Sequence, residues 1–558
     1  MGLVERYIDD REYASYEDFK ANYRLRIPEN FNFSYDIIDE WARLEPDKPA
    51  LLWCDDHGHE REFSFGELSR LSNQAANLYT QLGVGKGDFV LLMLKQRPEA
   101  WICILALIKI GAVCIPATFQ LTPKDLEYRI QAAGVKMVMA VDEPEIVGHV
   151  DAVRDRCPTL QHVGLVGDGP IDESRYVDFR RRMGEASPQW ERPTGEKATR
   201  NDDPMLIYFT SGTSGMPKMV LHDFTYPLGH IVTAKYWHRV EEGGRHLVMA
   251  DSGWAKFGWG KIFGQWICGA VIVGYDNDKF SPQHTLETIS RLKLTTFCAP
   301  PTIYRFFIKE DLSRYDFSTI KHCTIAGEPL NPEVFYQFKK ATGLEVTEGF
   351  GQSETNVMLA NYQWFPIKPG SMGKPSPLFD VDITDDEGNH LEDGVVGNVV
   401  VRNAWQHPAG LFREYYKAPE ANEKSFRNGI YFTGDTAWRD GEGYYWFVGR
   451  SDDVIKCSGY RIGPFEVESA LLTHPSVLEC AVTAAPDPIR GQVVKATIVL
   501  ARGYSPSDEL KKELQNHVKH TTAPYKYPRV VEFVEELPKT ISGKIRRVQI
   551  RQADAAGK

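Results

Sequence analysis

Hydrophobic and polar positions along the first part of the chain follow two alternating periods. From Phe65, apolar residues recur at helical spacing through Leu68, Leu71, Ala75, Leu78 and Leu82. Ser64-Phe-Gly-Glu67 has the form of a capping box, and Gly83 supplies a stop. Phe89 to Leu94 then reads as a buried strand. Pro98 to Ile110 reads as a helix that is apolar nearly all round, as expected of one sandwiched inside a layered fold. Thr122-Pro-Lys-Asp opens a further helix that runs to Gly134, before a strand over 135–141. Repeated strand–helix units of this size predict parallel sheets covered by helices. The stretch 168–204 is polar and rich in Pro, Gly and charge, which predicts a surface excursion.

The texture changes near Val381. Short strands separated by Asp/Gly turns, such as Asp385-Asp-Glu-Gly and Asp440-Gly-Glu-Gly443, predict a small antiparallel or barrel-like piece. Beyond Gly449-Arg-Ser-Asp-Asp453, Pro464 starts a helix. Strands near 477–485 and 493–501, a helix from Ser507 and a strand near 529–534 complete a compact α+β tail. The expected organisation is a large α/β domain over 1–451, made of layered sheets and helices plus the barrel-like piece. A small, mobile α+β domain over 452–558 follows it.

At 558 residues the chain exceeds what one core can serve. A net charge of −11 argues against nucleic acid as the main partner, because phosphate backbones call for a basic face. The nine cysteines include no Cys-x-x-Cys, which suits reduced, buried thiols better than a disulfide framework. No apolar run approaches the length of a membrane span. The acidic N-terminus lacks the pattern of a targeting peptide, so the expected location is cytoplasmic.

Thr210-Ser-Gly-Thr-Ser-Gly-Met-Pro-Lys218 lies between two apolar runs, Met205–Phe209 and Met219–His222. Small residues let a backbone turn tightly and present its N–H groups to an anion, phosphate above all. The Walker spacing is absent. Five further stretches and one upstream turn accompany this loop in order: Ala326-Gly-Glu-Pro329, Glu348-Gly-Phe-Gly-Gln-Ser-Glu354, Tyr431-Phe-Thr-Gly-Asp435, Gly449-Arg-Ser-Asp-Asp453, Lys456-Cys-Ser-Gly-Tyr-Arg-Ile462 and Pro538-Lys-Thr-Ile-Ser-Gly-Lys544. The ordered set resembles the acyl-adenylate-forming superfamily over nearly the whole chain, and its medium-chain acyl-CoA synthetase branch in particular.

The resemblance implies two steps. A carboxylate attacks the α-phosphorus of ATP to give an acyl-adenylate and pyrophosphate, and the thiol of CoA then displaces AMP. Thr210, Ser211, Thr213 and Lys218 would cradle the β- and γ-phosphates. Glu354 would ligate Mg²⁺, and Ser353, where many relatives carry Thr, would contact the α-phosphate. Asp435 and Arg450 would hold the ribose; Gly327, Glu328, Pro329, Gly349 and Phe350 would flank adenine. Phe447 is left with two readings, a base contact or a core aromatic. Lys544 is the expected catalytic residue, its charge opposing the negative charge that builds on the α-phosphoryl oxygens. Asp452 would be the hinge about which the small domain turns. Ser458, Gly459 and Arg461 would meet CoA, Arg461 binding phosphate in one of the two orientations.

Glycine at 351, where acetate-specific relatives carry tryptophan, opens the acyl pocket. Trp237, Trp254, Lys256, Trp259 and Cys298, with Gly327, would line and shorten it. That implies a short- to medium-chain aliphatic acid, branched acids included, with small aryl acids next. Rival readings are a stand-alone amino-acid adenylation enzyme, a nucleotide-binding regulator that has lost catalysis, and a luciferase-like oxygenase. The partners implied are the carboxylic acid, ATP and CoA, further copies of the chain in a homo-oligomer, and enzymes that acylate and deacylate Lys544.

Overall fold

The computed structural model describes the chain except residues 1, 10–11, 211–215, 278, 458–459, 488–490, 540–543 and 556–558. Two large, mostly parallel sheets form its bulk. One has eight strands in the spatial order Glu414–Tyr415, Lys218–Asp223, Pro204–Thr210, Val113–Pro116, Phe89–Met93, Met137–Val141, His162–Val166 and Val177–Asp178. The other has nine, with Pro49–Asp55, Val271–Asp276, Arg245–Val248, Thr296–Ala299, His322–Ile325 and Val346–Phe350 paired parallel through its centre.

Strand alternation explains the layering. On Phe89–Met93, Val90 and Leu92 join one apolar cluster while Leu91 and Met93 join another. Side chains of a strand point alternately to its two faces, so this sheet is covered on both sides. The shared cluster also takes in Leu51, Ile272 and Cys298 from the nine-stranded sheet. Packed into it are helices Phe65–Gln81 and Pro98–Ile110, the latter buried at every position from Glu99 to Ile110. Its all-round apolar sequence therefore marks a helix held between two sheets. Gly111 ends it with φ 74°, and Gly134 ends Pro123–Ala133 with φ 79°, where Thr122 and Asp125 form the capping box.

A third, antiparallel sheet contains Val381–Thr384, Gly397–Val401, Phe426–Arg427, Ile430–Arg439 and Tyr445–Arg450. A fourth, from Ile455 onward, pairs Val477–Asp487 against Gly491–Leu500, with helices Pro464–Leu472, Asp508–Thr521 and Arg547–Ala555. The mixed α/β class expected from the sequence is the one observed. Two local expectations need correction. The stretch 168–204 is more than a surface excursion, because Val177–Asp178 adds an edge strand and Phe179–Glu185 a helix with Phe179 and Met183 buried. Helix Arg547–Ala555 has no counterpart in the expected tail. It carries one buried residue, Ile550, so its apolar signal is weak.

Candidate functional site

The glycine loop joins two antiparallel strands whose last residues face each other, Thr210 opposite Lys218. Ser211 and Thr213 lie outside the described residues. Lys218 holds its ammonium 4.4 Å from the centre of the Tyr415 ring. Tyr415 reaches this place because Glu414–Tyr415 adds a short strand to Lys218–Asp223, with Tyr415 opposite Val220. Its hydroxyl donates to Glu354 Oε1 at 2.8 Å. Partial burial lowers the Lys218 pKa, against a pull from Glu354, and burial raises that of Glu354. Each charge is thus held short of full solvation, as suits groups that meet an ion. Ser353 is fixed through its carbonyl, which bonds His222 Nε2 at 2.7 Å.

A second cluster stands on the antiparallel sheet. Asp435 and Arg450 are direct cross-strand partners, and Arg450 Nη1 donates to Asp435 Oδ1 at 3.0 Å. Asp435 is 4% exposed, and its charge is the main cause of an upward shift in the Arg450 pKa. Gly434, at φ 74°, lets the guanidinium approach, since a Cβ there would sit 2.8 Å from Arg450 Nη2. Gln352 ties this cluster to the first. Its amide donates to Asp435 Oδ2 at 2.5 Å and to the Thr433 carbonyl at 2.9 Å, and it accepts from the Tyr431 hydroxyl at 2.8 Å. Asp452 is exposed in the turn that follows, and its charge adds to the upward shift at Arg450.

Gly327, with φ 103°, begins a turn beside Lys256, whose Nζ donates to the Ala326 carbonyl at 2.6 Å. Glu328 is reached by Thr302 Oγ1 at 3.3 Å and Arg305 at 3.8 Å, and Pro329 follows half-buried. Phe350 and Phe447 face each other at 6.3 Å, and Phe447 also meets Phe465 at 6.4 Å. Lys544, on the chain after Val530–Phe533, lies close enough to Lys256 for its charge to help lower the Lys256 pKa, after burial and against Cys298 and Glu328. Ser458 and Gly459 lie outside the described residues, as does the Arg461 side chain; the Arg461 backbone pairs with Lys456.

Among the residues expected to line the acyl pocket, two indoles occupy the room that two glycines leave. A Cβ at Gly349 would lie 2.4 Å from the Trp237 ring, and one at Gly351 would lie 2.3 Å from the Trp259 ring. Trp237 is 1% exposed and Trp259 6%, and their rings meet edge to face at 6.2 Å. Cys298 is buried, its thiol pKa raised by burial and opposed by the charge of Lys256. Trp254 stands apart, half-buried ahead of helix Ala255–Gly260, and among the described residues it makes no ring contact with Trp237 or Trp259.

Sequence reasoning left three residues here without a role. Gln352 and Glu348 sit inside a motif that drew attention to its last residue instead. Glu348 is buried, its pKa is raised well above the usual carboxylate range by desolvation, and its Oε2 has no hydrogen-bond partner among the described residues. An acidic residue within such a glycine-bearing turn was the available signal. Tyr415 gave none, because its partnership with Lys218 and Glu354 arises from an edge strand two residues long.

Comparison with known proteins agrees over the whole length. The model of the AMP-binding enzyme family matches residues 38–416, and that of the AMP-binding enzyme C-terminal domain matches 466–544. Acyl-coenzyme A synthetase ACSM3, mitochondrial, of Mus musculus is 43% identical over 98% of this chain and 94% of its own. Acyl-coenzyme A synthetase ACSM5, mitochondrial, of Homo sapiens is 45% identical over 95% of this chain and 92% of its own. Among solved structures, the anthranilate CoA ligase AuaEII in complex with anthranoyl-AMP superposes with a TM-score of 0.86 at 30% identity, covering 95% of this chain and 98% of that one. The acyl-CoA synthetase of Brucella canis does so with a TM-score of 0.73 at 30% identity, covering 97% and 99%. These relatives overturn the expected cytoplasmic location, since the ACSM proteins are named mitochondrial. No helix among the described residues is long and apolar enough to cross a membrane. With family models matching both the large sheets and the tail, and relatives aligned almost end to end, the chain belongs to the AMP-binding enzyme family.

Proposed function

We propose that the protein is an AMP-forming acid–CoA ligase that activates a short- to medium-chain carboxylic acid, branched acids included, as its acyl-adenylate and passes the acyl group to CoA. The observation that carries this reading is the linked cluster in which Tyr415 joins Lys218 to Glu354 and Gln352, two residues before Glu354, bonds Asp435, the partner of Arg450. In this reading Thr210 and Lys218 hold the pyrophosphate end of ATP, together with Ser211 and Thr213. Asp435 and Arg450 hold the ribose. Gly327, Glu328, Pro329, Gly349 and Phe350 flank adenine, and Glu348 offers a buried polar edge nearby. Lys544 opposes the charge on the α-phosphoryl oxygens as the carboxylate adds.

The donor set suits Mg²⁺. Glu354 is a hard oxygen ligand, and a lone carboxylate is the usual protein share when phosphates supply the remaining oxygens. Bound there, the ion would neutralise phosphate charge; holding it falls to Glu354, steadied by the Tyr415 hydroxyl. Residues 1–451 would form the large domain and 452–558 a small one pivoting at Asp452, bringing Ser458, Gly459 and Arg461 to CoA for the second step.

Trp237 and Trp259, set into the space beside Gly349 and Gly351, support a short pocket. The names of the ACSM relatives support a mitochondrial setting, which cell fractionation would check. A panel of acids assayed with CoA, scoring AMP and thioester together, tests the main reading. The expected optimum is C4–C6; faster turnover of acetate or palmitate would overturn the assignment of the acid. Carboxylate-dependent ATP–pyrophosphate exchange without thioester formation would overturn the ligase reading in favour of an adenylation enzyme loading another acceptor.

A further inference from the structure

The chain that leaves Asp452 carries a set of ion pairs, buried on the carboxylate side and half-buried on the guanidinium side, that the reaction described above does not use. Asp453, the next residue, is 7% exposed; its carboxylate pairs with Arg551 and lies 3.9 Å from Arg547 Nη1. Glu468, 6% exposed on helix Pro464–Leu472, accepts from Arg547 Nη2 at 2.7 and 2.8 Å and from Arg547 Nε at 3.2 Å. The backbone N–H of Val482 donates to the same carboxylate at 2.8 Å. Arg547 and Arg551 are four residues apart on helix Arg547–Ala555, so they leave it from one face.

That helix starts three residues after Lys544. The loop bearing Lys544 is closed at its base, where the Arg546 N–H donates to the Pro538 carbonyl at 2.8 Å and Lys539 pairs with Ile545 as an antiparallel bridge. Lys539 Nζ also reaches Glu479 at 2.8 Å. The base of the Lys544 loop is thus joined by short links to Asp453 on one side and to the strand Val477–Asp487 on the other.

Buried ion pairs are a poor way to gain stability, since desolvation offsets most of the attraction. Their best-attested use is to fix one arrangement among several. Here two guanidiniums and two carboxylates connect the first buried residue after 452 to the loop of Lys544. We infer that Asp453, Glu468, Arg547 and Arg551 form a strut that fixes the helix following Lys544 to the start of the small domain, and that Arg547 is a positioning residue for adenylate formation. Rotation at 452 then carries Lys544 into and out of place without slack. The inference rests on the proposed roles of Lys544 and Asp452.

The test uses the full-length enzyme and separates the half-reactions. Carboxylate-dependent ATP–pyrophosphate exchange is measured beside thioester formation from supplied acyl-adenylate and CoA, with the thermal midpoint, for Arg547→Ala, Arg547→Lys and Lys544→Ala. Arg547→Ala is expected to slow exchange about tenfold or more, since small misplacements of a catalytic group are costly. The KM for ATP should hold, because the proposed ATP contacts stand on sheets that precede residue 452, and the thioester step should stay within about twofold. Arg547→Lys, which keeps the charge but loses the fork, is expected to recover part of the exchange rate, and it carries the same split where Arg547→Ala does not fold. A parallel fall of both half-reactions with the thermal midpoint overturns the strut in favour of a purely structural pair, as does unchanged exchange. If Lys544→Ala leaves exchange intact, the role of Lys544 is wrong, and the strut has nothing to position.

Discussion

The two halves of the site are built by different means. Lys218, Glu354, Asp435 and Arg450 stand on or beside paired strands, where backbone ladders fix each residue and one register error would turn every side chain to the wrong face. Lys544 is exposed, and the helix that follows it is secured by ion pairs. The contrast follows from what each half does in the proposed reaction. A group that grips ATP through the reaction profits from rigidity, whereas one that serves a single step must be able to leave. Side-chain ties permit that, because they bind the helix after Lys544 to its own small domain and not to the large sheets.

Separate assays of the two steps break this comparison most directly. Lys544→Ala is expected to slow adenylate formation at least about 100-fold, the scale of losing one preorganised charge-stabilising donor, while thioester formation from supplied acyl-adenylate persists. Equal loss of both would mean the tail does not divide its labour. Next in size, Asp435→Ala should raise the KM for ATP about 10- to 100-fold, as expected for removing hydrogen bonds to a charged group. Both half-reactions should then suffer from weaker nucleotide binding, in contrast with Lys544.

Trp259→Leu probes the acyl end. Opening the space beside Gly351 should shift the ratio of kcat/KM for C8 over C4 acids upward at least about tenfold, the worth of a single methylene in an apolar pocket. Stability should fall as the indole leaves a cavity, which a thermal melt would register. An unchanged acid preference would show that Trp259 is a core residue without influence on substrate.

The smallest effect concerns pH. Burial depresses His222 and His246 to about 3 and His322 to about 4. In the unfolded chain they titrate near their ordinary value, so below about pH 6.5 the unfolded state binds protons that the folded state refuses. The stability these imidazoles contribute is complete above that value and is lost as pH falls toward 3–4, at about 1 kcal/mol per imidazole per pH unit. All three stand on or beside strands of the two large sheets. Mild acid should therefore lower the denaturant midpoint of the large part before that of the tail; the reverse order would place the acid-sensitive groups elsewhere.

Much of the fold was legible because it rests on local rules. Ser64, Thr122, Gly111 and Gly134 mark helix ends by capping chemistry and left-handed backbone. Helix Arg547–Ala555 was not legible, since it is held by Arg547 and Arg551 reaching distant carboxylates and not by an apolar stripe. In the site, the glycine-rich and acidic motifs were readable one by one. That Gln352 bridges Glu354's neighbourhood to Asp435, or that Tyr415 links Lys218 to Glu354, was not, because each link joins residues tens of positions apart.

The sequence by itself determined the layered α/β class, the helix and strand order and the motif residues, because periodicity, caps and turn chemistry act over a few neighbouring positions. Only the tertiary structure decided which of those residues meet. Sheet pairing set Thr210 against Lys218 and Asp435 against Arg450, close packing put Trp259 into the room left by Gly351, and ion pairs with buried carboxylates tied the helix after Lys544 to the chain leaving Asp452. Such contacts are chosen by the burial of surfaces far apart in the chain, and no local pattern encodes them.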